Sequence, residues 1–286
     1  MMTEKEPITD ADNVRSLDGH RDAEPDSESL LPVDEHIEEV SENGKKVRRR
    51  GIYLLPNLFT TGALFSGFYA VIAGMHGNFE AAAIAIFVAM VLDGLDGRVA
   101  RLTNTTSAFG VQYDSLSDMV SFGLAPALVM FSWALAPLGK LGWAAAFAYA
   151  ACAALRLARF NTQVGVVDKR YFIGLASPAA AAVLAAIVWS GHDAQISYEL
   201  AVLVAFITVL AGALMVSNVR YYSFKGVDFK GRVPFVAMLA VIVVFVVVTI
   251  DPPRILLGLL TLYGLSGPVI WIWNRLVKRS QKGSEQ

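Results

Sequence analysis

Apolar positions fall in long blocks along this chain and do not alternate. Eight stretches approach the ~20 residues a helix needs to cross a bilayer. They run over roughly 52–74, 79–100, 119–138, 141–160, 172–190, 197–217, 233–250 and 254–274. Turn-forming or charged residues separate them: His76-Gly77-Asn78, Pro137-Leu138-Gly139-Lys140, Ser190-Gly191-His192-Asp193 and Asp251-Pro252-Pro253. Backbone in lipid has to satisfy its own hydrogen bonds, so apolar runs without strict alternation imply helices, not a barrel. The pattern predicts an all-α integral membrane protein with about eight transmembrane helices.

Charge divides the chain more sharply than its overall net of −1 suggests. Residues 1–44 carry fourteen Asp/Glu against three Lys/Arg, a net of −11, and the remaining 242 residues carry 21 bases against 11 acids, a net of +10. The acidic part has few aliphatics and no periodic apolar face, so a disordered tail is expected over 1–44. It has no positive n-region followed by an apolar stretch and a cleavage site, and it does not read as a signal peptide. A membrane domain is expected over 45–276, with a short basic tail over 277–286.

Lysine and arginine set the expected orientation. With the N-terminal tail in the cytoplasm and each stretch crossing once, twenty-two Lys/Arg lie inside and only Lys140 and Arg254 outside. A seven-span count would break that bias. Both termini are therefore expected on the cytoplasmic side of the inner (cytoplasmic) membrane.

Composition agrees with a membrane protein: 55% hydrophobic residues, 17% charged and a mean hydropathy of +0.50, where a soluble domain has about a quarter charged. A soluble globule and a nucleic-acid-binding module are set aside. Cys152 is the only cysteine, which rules out an intramolecular disulfide.

The chemistry concentrates in one run. Asp93, Asp96, Gly97 and Ala100 are spaced i, i+3, i+4, i+7, placing two carboxylates and two small residues on one helix face. Gly110, Asp114 and Asp118 step by four on the next helix, beside Ser117 and Ser121. The connection between them is cytoplasmic by the charge count, so both faces can meet at the cytoplasmic surface of the bilayer. Four carboxylates crowded in a low-dielectric setting repel unless a cation sits among them. All-oxygen ligation suits Mg²⁺ or Mn²⁺, and two such ions suit an in-line displacement at phosphorus. A side chain at 97 or 110 would obstruct a nucleotide.

The run matches D-x-x-D-G-x-x-A-R-x8-G-x3-D-x3-D at every fixed position. In this it resembles the CDP-alcohol phosphotransferase family. The resemblance implies a membrane enzyme that cleaves a CDP-linked lipid with two divalent ions. It also implies that Asp93, Asp96, Asp114 and Asp118 are metal ligands, with Asp118 the general base, and that Gly97, Arg101 and Gly110 lie around the CDP group. A homodimer is expected on the same ground.

Further stretches resemble the phosphatidylserine synthase branch: Asn57-Leu58-Phe59-Thr60, Leu155-Arg156-Leu157-Ala158-Arg159-Phe160-Asn161, Tyr171 to Ala179, and Ser217 to Ser223. That branch implies CDP-diacylglycerol and L-serine as substrates. Its loop usually reads G-L-P-S-P, and Ala176 in place of the first proline predicts a looser turn. Arg156 and Arg159, at i and i+3, can both face one pocket; either alone reads equally as a positive-inside anchor snorkelling to lipid headgroups, and the pair followed by Asn161 points to binding the serine carboxylate or a lipid phosphate. Asn57 and Thr60 are either N-capping residues near Pro56 or nucleotide ligands. Arg220, Tyr221 and Tyr222 read as an interfacial aromatic-basic anchor.

Two other readings remain at this point. The acceptor could be glycerol 3-phosphate or an inositol phosphate, although a doubly negative acceptor calls for a denser basic pocket. From another class, the carboxylates could form the ion site of a divalent-cation transporter.

Overall fold

A computed structural model describes residues 37–42, 45–50, 54–103, 105, 107–162, 171–222 and 235–283. Helix forms within each of the eight apolar stretches. The helices are α1 (Leu54–Met75), α2 (Phe79–Leu102), α3 (Ala108–Asp118) with α4 (Ala125–Met130), α5 (Lys140–Thr162), α6 (Ser177–Ser190), α7 (Tyr198–Val216), α8 (Phe235–Ile250) and α9 (Pro252–Gly283). Among the described residues, five helices are long and apolar enough to cross a membrane: α1, the continuous run Ala108–Leu138, α5, α7 and the part of α9 over Pro252–Trp271.

The other three depart from the expectation for distinct reasons. Helix α2 is long enough but carries Glu80, Asp93, Asp96, Arg98 and Arg101. Helix α8 has 16 residues. Helix α6 has only 14 residues and does not start at 172 as the apolar run suggests. Tyr171–Ile173 instead forms a strand, β3, paired antiparallel with β4 (Arg220–Tyr222). Gly174 then takes φ +80°, where a Cβ would collide with the Met215 carbonyl oxygen, and this breaks the chain direction before Ser177.

The other ribbon pairs β1 (Ile37–Glu42) with β2 (Lys45–Arg50). The register sets Glu38, Glu39 and Glu42 opposite Arg49, Arg48 and Lys45. The end of the segment expected to be disordered is therefore a paired strand, while the expectation for 1–36 lies outside the described residues.

The run from α3 to Leu138 is one helix with two wide turns. Met119–Leu124 and Phe131–Leu135 are π-helical, with Ala125 N–H reaching Val120 O and Ala136 N–H reaching Phe131 O. The core around it is built from small residues, including Ala70, Ala82, Ala83, Ala89, Ala125, Ala181 and Ala185. Small side chains let helix backbones approach closely where lipid supplies no hydrophobic drive between helices. Gly67 shows how tight this is: a Cβ there would lie 2.5 Å from Ser121 Oγ and 2.7 Å from Ser121 Cα. Phe65, Phe68, Trp143, Phe147, Leu203 and Phe206 face outward.

Helices α1 and α2 form an antiparallel hairpin through the turn at Gly77. This brings the start of α1 against the end of α2 at one end of the bundle. At the other end, Trp189 Nε1 donates to Glu80 Oε1 at 3.4 Å and Trp133 Nε1 donates to Gly191 O at 3.2 Å.

Candidate active site

The carboxylates occupy the end of the bundle where α1, α3 and α6 begin and α2 and α5 finish. Asp93, Asp114 and Asp118 each present a carboxylate oxygen within 4.8 Å of the other two. Asp96 lies outside that trio; its Oδ2 accepts from Thr60 Oγ1 at 2.7 Å. The spacing explains the convergence, because i, i+3 on α2 and i, i+4 on α3 keep each pair on one helix face.

Backbone placement is fixed by small polar residues. Ser107 caps α3 by accepting from Gly110 N at 3.0 Å. Ser117 Oγ and Ser121 Oγ donate to the carbonyls of Thr60 and Ala63 at 3.1 and 3.0 Å. These bonds lock the acid-bearing helix onto α1.

A cleft opens beside the trio. Asn57, Thr60, Asp96, Gly97, Arg101, Gly110 and Asp114 line it, together with Pro56, Ala100, Thr105, Ser107 and Val111. Five residues expected at a nucleotide, namely Asn57, Thr60, Gly97, Arg101 and Gly110, thus share one cavity with two of the expected metal ligands. Gly97 opens onto free space, its nearest neighbour being Arg101 Nη2 at 4.0 Å from a built Cβ. Arg101 Nε donates to Gly97 O at 2.7 Å, which lays the guanidinium along the cleft wall. Asn57 Nδ2 is buried with no hydrogen-bond partner.

The electrostatics of the trio call for a cation. Each pair of ionised carboxylates at such a separation costs on the order of 3 kcal/mol at an effective dielectric constant of about 20. Arg156 lies within the field of Asp118, but its Nη1 donates at 2.7 Å to Ser177 Oγ. A donor set made wholly of carboxylate oxygens fits a hard divalent ion such as Mg²⁺ or Mn²⁺.

The hydrogen bonds of Arg156 and Arg159 lead to different elements. Arg156 reaches Ser177 at the start of α6, whereas Arg159 donates to Val216 O at 3.3 Å and to Asn218 Oδ1 at 2.8 Å, at the end of α7. Asn161 Nδ2 donates to Ser115 Oγ at 3.0 Å on α3. Residues three apart on a helix differ by about 60° around its axis, enough for neighbouring helices to separate them. Arg156 Nε is buried and has no hydrogen-bond partner.

Two expectations change. Ala176 adopts φ −63° and ψ 137°, the backbone a proline would impose, so its loop is not loosened. Tyr221 is not an interfacial anchor: it is 1% exposed, and its hydroxyl donates to Gly264 O on α9 at 3.0 Å. Burial, with Tyr263 beside it, pushes that phenol up to about 12. Ser107 and Ser177 hold roles that the sequence motifs do not assign to them individually. Ser107 carried a readable signal, a serine three residues ahead of Gly110 at a helix start. Ser177 did not, because only the fold brings it to Arg156.

Known proteins share this arrangement of sequence. A CDP-diacylglycerol–serine O-phosphatidyltransferase of Helicobacter pylori (strain J99) is 37% identical over 224 residues, covering 78% of this chain and 92% of that protein. An archaetidylserine synthase of Methanothermobacter thermautotrophicus is 33% identical over 181 residues, 63% of this chain and 73% of its own length. A CDP-diacylglycerol–serine O-phosphatidyltransferase of Bacillus subtilis (strain 168) is 32% identical over 171 residues, 60% of this chain and 91% of the relative. The model of one family, described as CDP-alcohol phosphatidyltransferase, matches residues 53–210 and so takes in the aspartate run, the cleft and both α5 arginines. This multi-pass membrane protein belongs to the CDP-alcohol phosphatidyltransferase family.

Proposed function

We propose that the chain transfers a phosphatidyl group from CDP-diacylglycerol to the hydroxyl of L-serine, giving phosphatidylserine and CMP. The observation that carries this reading is the trio Asp93, Asp114 and Asp118 beside a cleft lined by Asn57, Thr60, Gly97, Arg101 and Gly110. The names of the relatives support serine as the acceptor.

Asn57, Thr60, Gly97, Arg101 and Gly110 hold the CDP moiety, with the Arg101 guanidinium against phosphate. Two divalent cations, Mg²⁺ or Mn²⁺, bound by Asp93, Asp96, Asp114 and Asp118, would neutralise charge developing on the phosphate oxygens. Asp118 accepts the proton of the serine hydroxyl. The serine oxygen then bonds to the lipid-side phosphorus, the pyrophosphate P–O bond breaks, and CMP leaves with that electron pair. Arg156 offers its unpartnered Nε to the serine carboxylate or a lipid phosphate, and Arg159 and Asn161 brace the same side. The aspartates offer no separate nucleophile, which favours direct attack over a phosphatidyl-enzyme.

We place this site at the cytoplasmic face of the inner membrane, with eight spans, both termini inside and a homodimer as the working assembly. The asymmetry of Lys and Arg supports that orientation.

The test is CMP release by detergent-purified protein given CDP-diacylglycerol and Mn²⁺ or Mg²⁺, with L-serine, glycerol 3-phosphate or inositol phosphate as acceptor. Serine-dependent release that disappears in Asp118→Asn is the expected result. Release with a different acceptor would discard the serine pocket, and no release with any acceptor would sink the reaction.

A further inference from the structure

The β3–β4 ribbon packs against α9 and leads into the start of α6, and most of what anchors it falls beyond the span that the family model matches. Its connections can be followed bond by bond. Arg156 Nη1 donates to Ser177 Oγ, and Ser177 is fully buried. Between Ser177 and β3, Gly174 N donates to Val219 O at 2.8 Å and Leu175 N to Leu214 O at 3.0 Å. The position of Ser177 is therefore set by the segment from the end of α7 into β4.

Strand β4 is in turn held by α9. The Tyr221 hydroxyl donates to Gly264 O, and the Tyr221 ring lies 5.8 Å, centroid to centroid, from that of Tyr263. A Cβ at Gly267 would come within 2.5 Å of Tyr221 Cζ, so the ring is seated on α9 where only glycine leaves room. A two-stranded ribbon of three residues per strand has little stability of its own. A buried tyrosine with its hydroxyl satisfied supplies apolar area and a directional bond.

We propose that Tyr221 is a positioning residue: seated on α9 at Gly264 and Gly267, it fixes the β3–β4 ribbon and, through Ser177, holds the Arg156 guanidinium in place for the acceptor. The inference rests on the acceptor role given to Arg156 above. It makes α9 part of the acceptor side of the site. The CDP-lipid cleft does not depend on this latch, because its residues lie on α1, α2, α3 and the turn between α2 and α3, whereas the ribbon is tied to α7 and α9.

Tyr221→Phe tests it, since the ring stays and only the bond to Gly264 O is lost. Two readouts on the full-length protein are needed. Hydrogen–deuterium exchange at the amides of Gly174 and Leu175 is expected to quicken at least several-fold. The KM for L-serine is expected to rise several-fold while the KM for CDP-diacylglycerol and the yield of folded protein stay unchanged. In an Arg156→Lys background the further rise in serine KM should vanish, because the two residues act as one unit. Unchanged exchange overturns the latch, as does a rise in both KM values together. A parent protein with no serine-dependent CMP release would refute the acceptor reading alone, and exchange at 174–175 would then decide the latch.

Discussion

Thr60 Oγ1 donates to Asp96 Oδ2 at 2.7 Å and lies 3.2 Å from Pro56 O. One hydroxyl proton serves mainly the nearer and charged acceptor. Thr60 therefore orients a carboxylate at the cleft wall, from a helix that carries none of the four aspartates. Thr60→Val keeps the shape and deletes the donor. The concentration of Mn²⁺ needed for half-maximal CMP release is expected to rise about tenfold, as is usual when a ligand's hydrogen-bond partner is lost. An unchanged metal titration would mean that Asp96 needs no such orientation.

The crowded aspartates should make the protein less stable without a cation than its neutralised variants are. In EDTA at an alkaline pH where all three carboxyls are ionised, Asp118→Asn relieves two repulsions, and its Tm is expected to exceed the parent's by about 2–4 °C for each kcal/mol relieved. Adding Mn²⁺ should raise the parent's Tm and leave that of the variant nearly unmoved. CMP release by the variant should fall by about 10²–10⁴, the range expected for loss of a general base. A variant that melts below the parent in EDTA would contradict the repulsion argument.

Two glycines should respond oppositely to added bulk. Gly97→Val meets open space at the cleft, so the fold should survive while the KM for CDP-diacylglycerol rises. Gly67→Ala drives a methyl into Ser121, including its Cα. Overpacking of this kind costs about 1–3 kcal/mol and should lower Tm. Thermal melting in detergent, paired with KM, separates the two.

The proposed orientation can be read from outside the cell. Asp193 lies at the bundle end opposite the aspartates and is 90% exposed. In a Cys152→Ala background, Asp193→Cys should react with an impermeant maleimide in intact cells. Thr103→Cys, on the turn after α2, should react only after lysis. The reverse pattern would invert the topology.

Much of the site is legible in the sequence because it rests on short-range spacing. Asp93, Asp96, Asp114 and Asp118 converge through i+3 and i+4 steps, and Gly97, Arg101 and Gly110 ride on the same two helices. What escapes the sequence is tertiary. The bond from Thr60 to Asp96 spans 36 residues, and its donor reads equally well as a helix cap. Arg156 and Arg159 sit three residues apart on α5 but do not share partners, because Ser177 begins α6 while Val216 and Asn218 lie at the end of α7. Tyr221 is misread because an aromatic beside an arginine has the same composition whether it faces headgroups or a packed helix. The apolar run before Ser177 hides a strand, since β pairing and membrane burial draw on the same residue types.

The π-helical turn at Met119–Leu124, directly after Asp118, changes the rotational phase of the helix that bears half the carboxylates. One extra residue in a turn offsets everything beyond it by about 100° around the axis. The aspartate half can thus be aimed at the site while the half beyond follows the angle that its own packing against α1, α5 and α6 requires. Deleting a single residue between Val120 and Gly123 would remove that offset without touching an acid. The two halves would then compete for one angle, so a lesion outside the chemistry would force a choice between a formed site and a packed bundle.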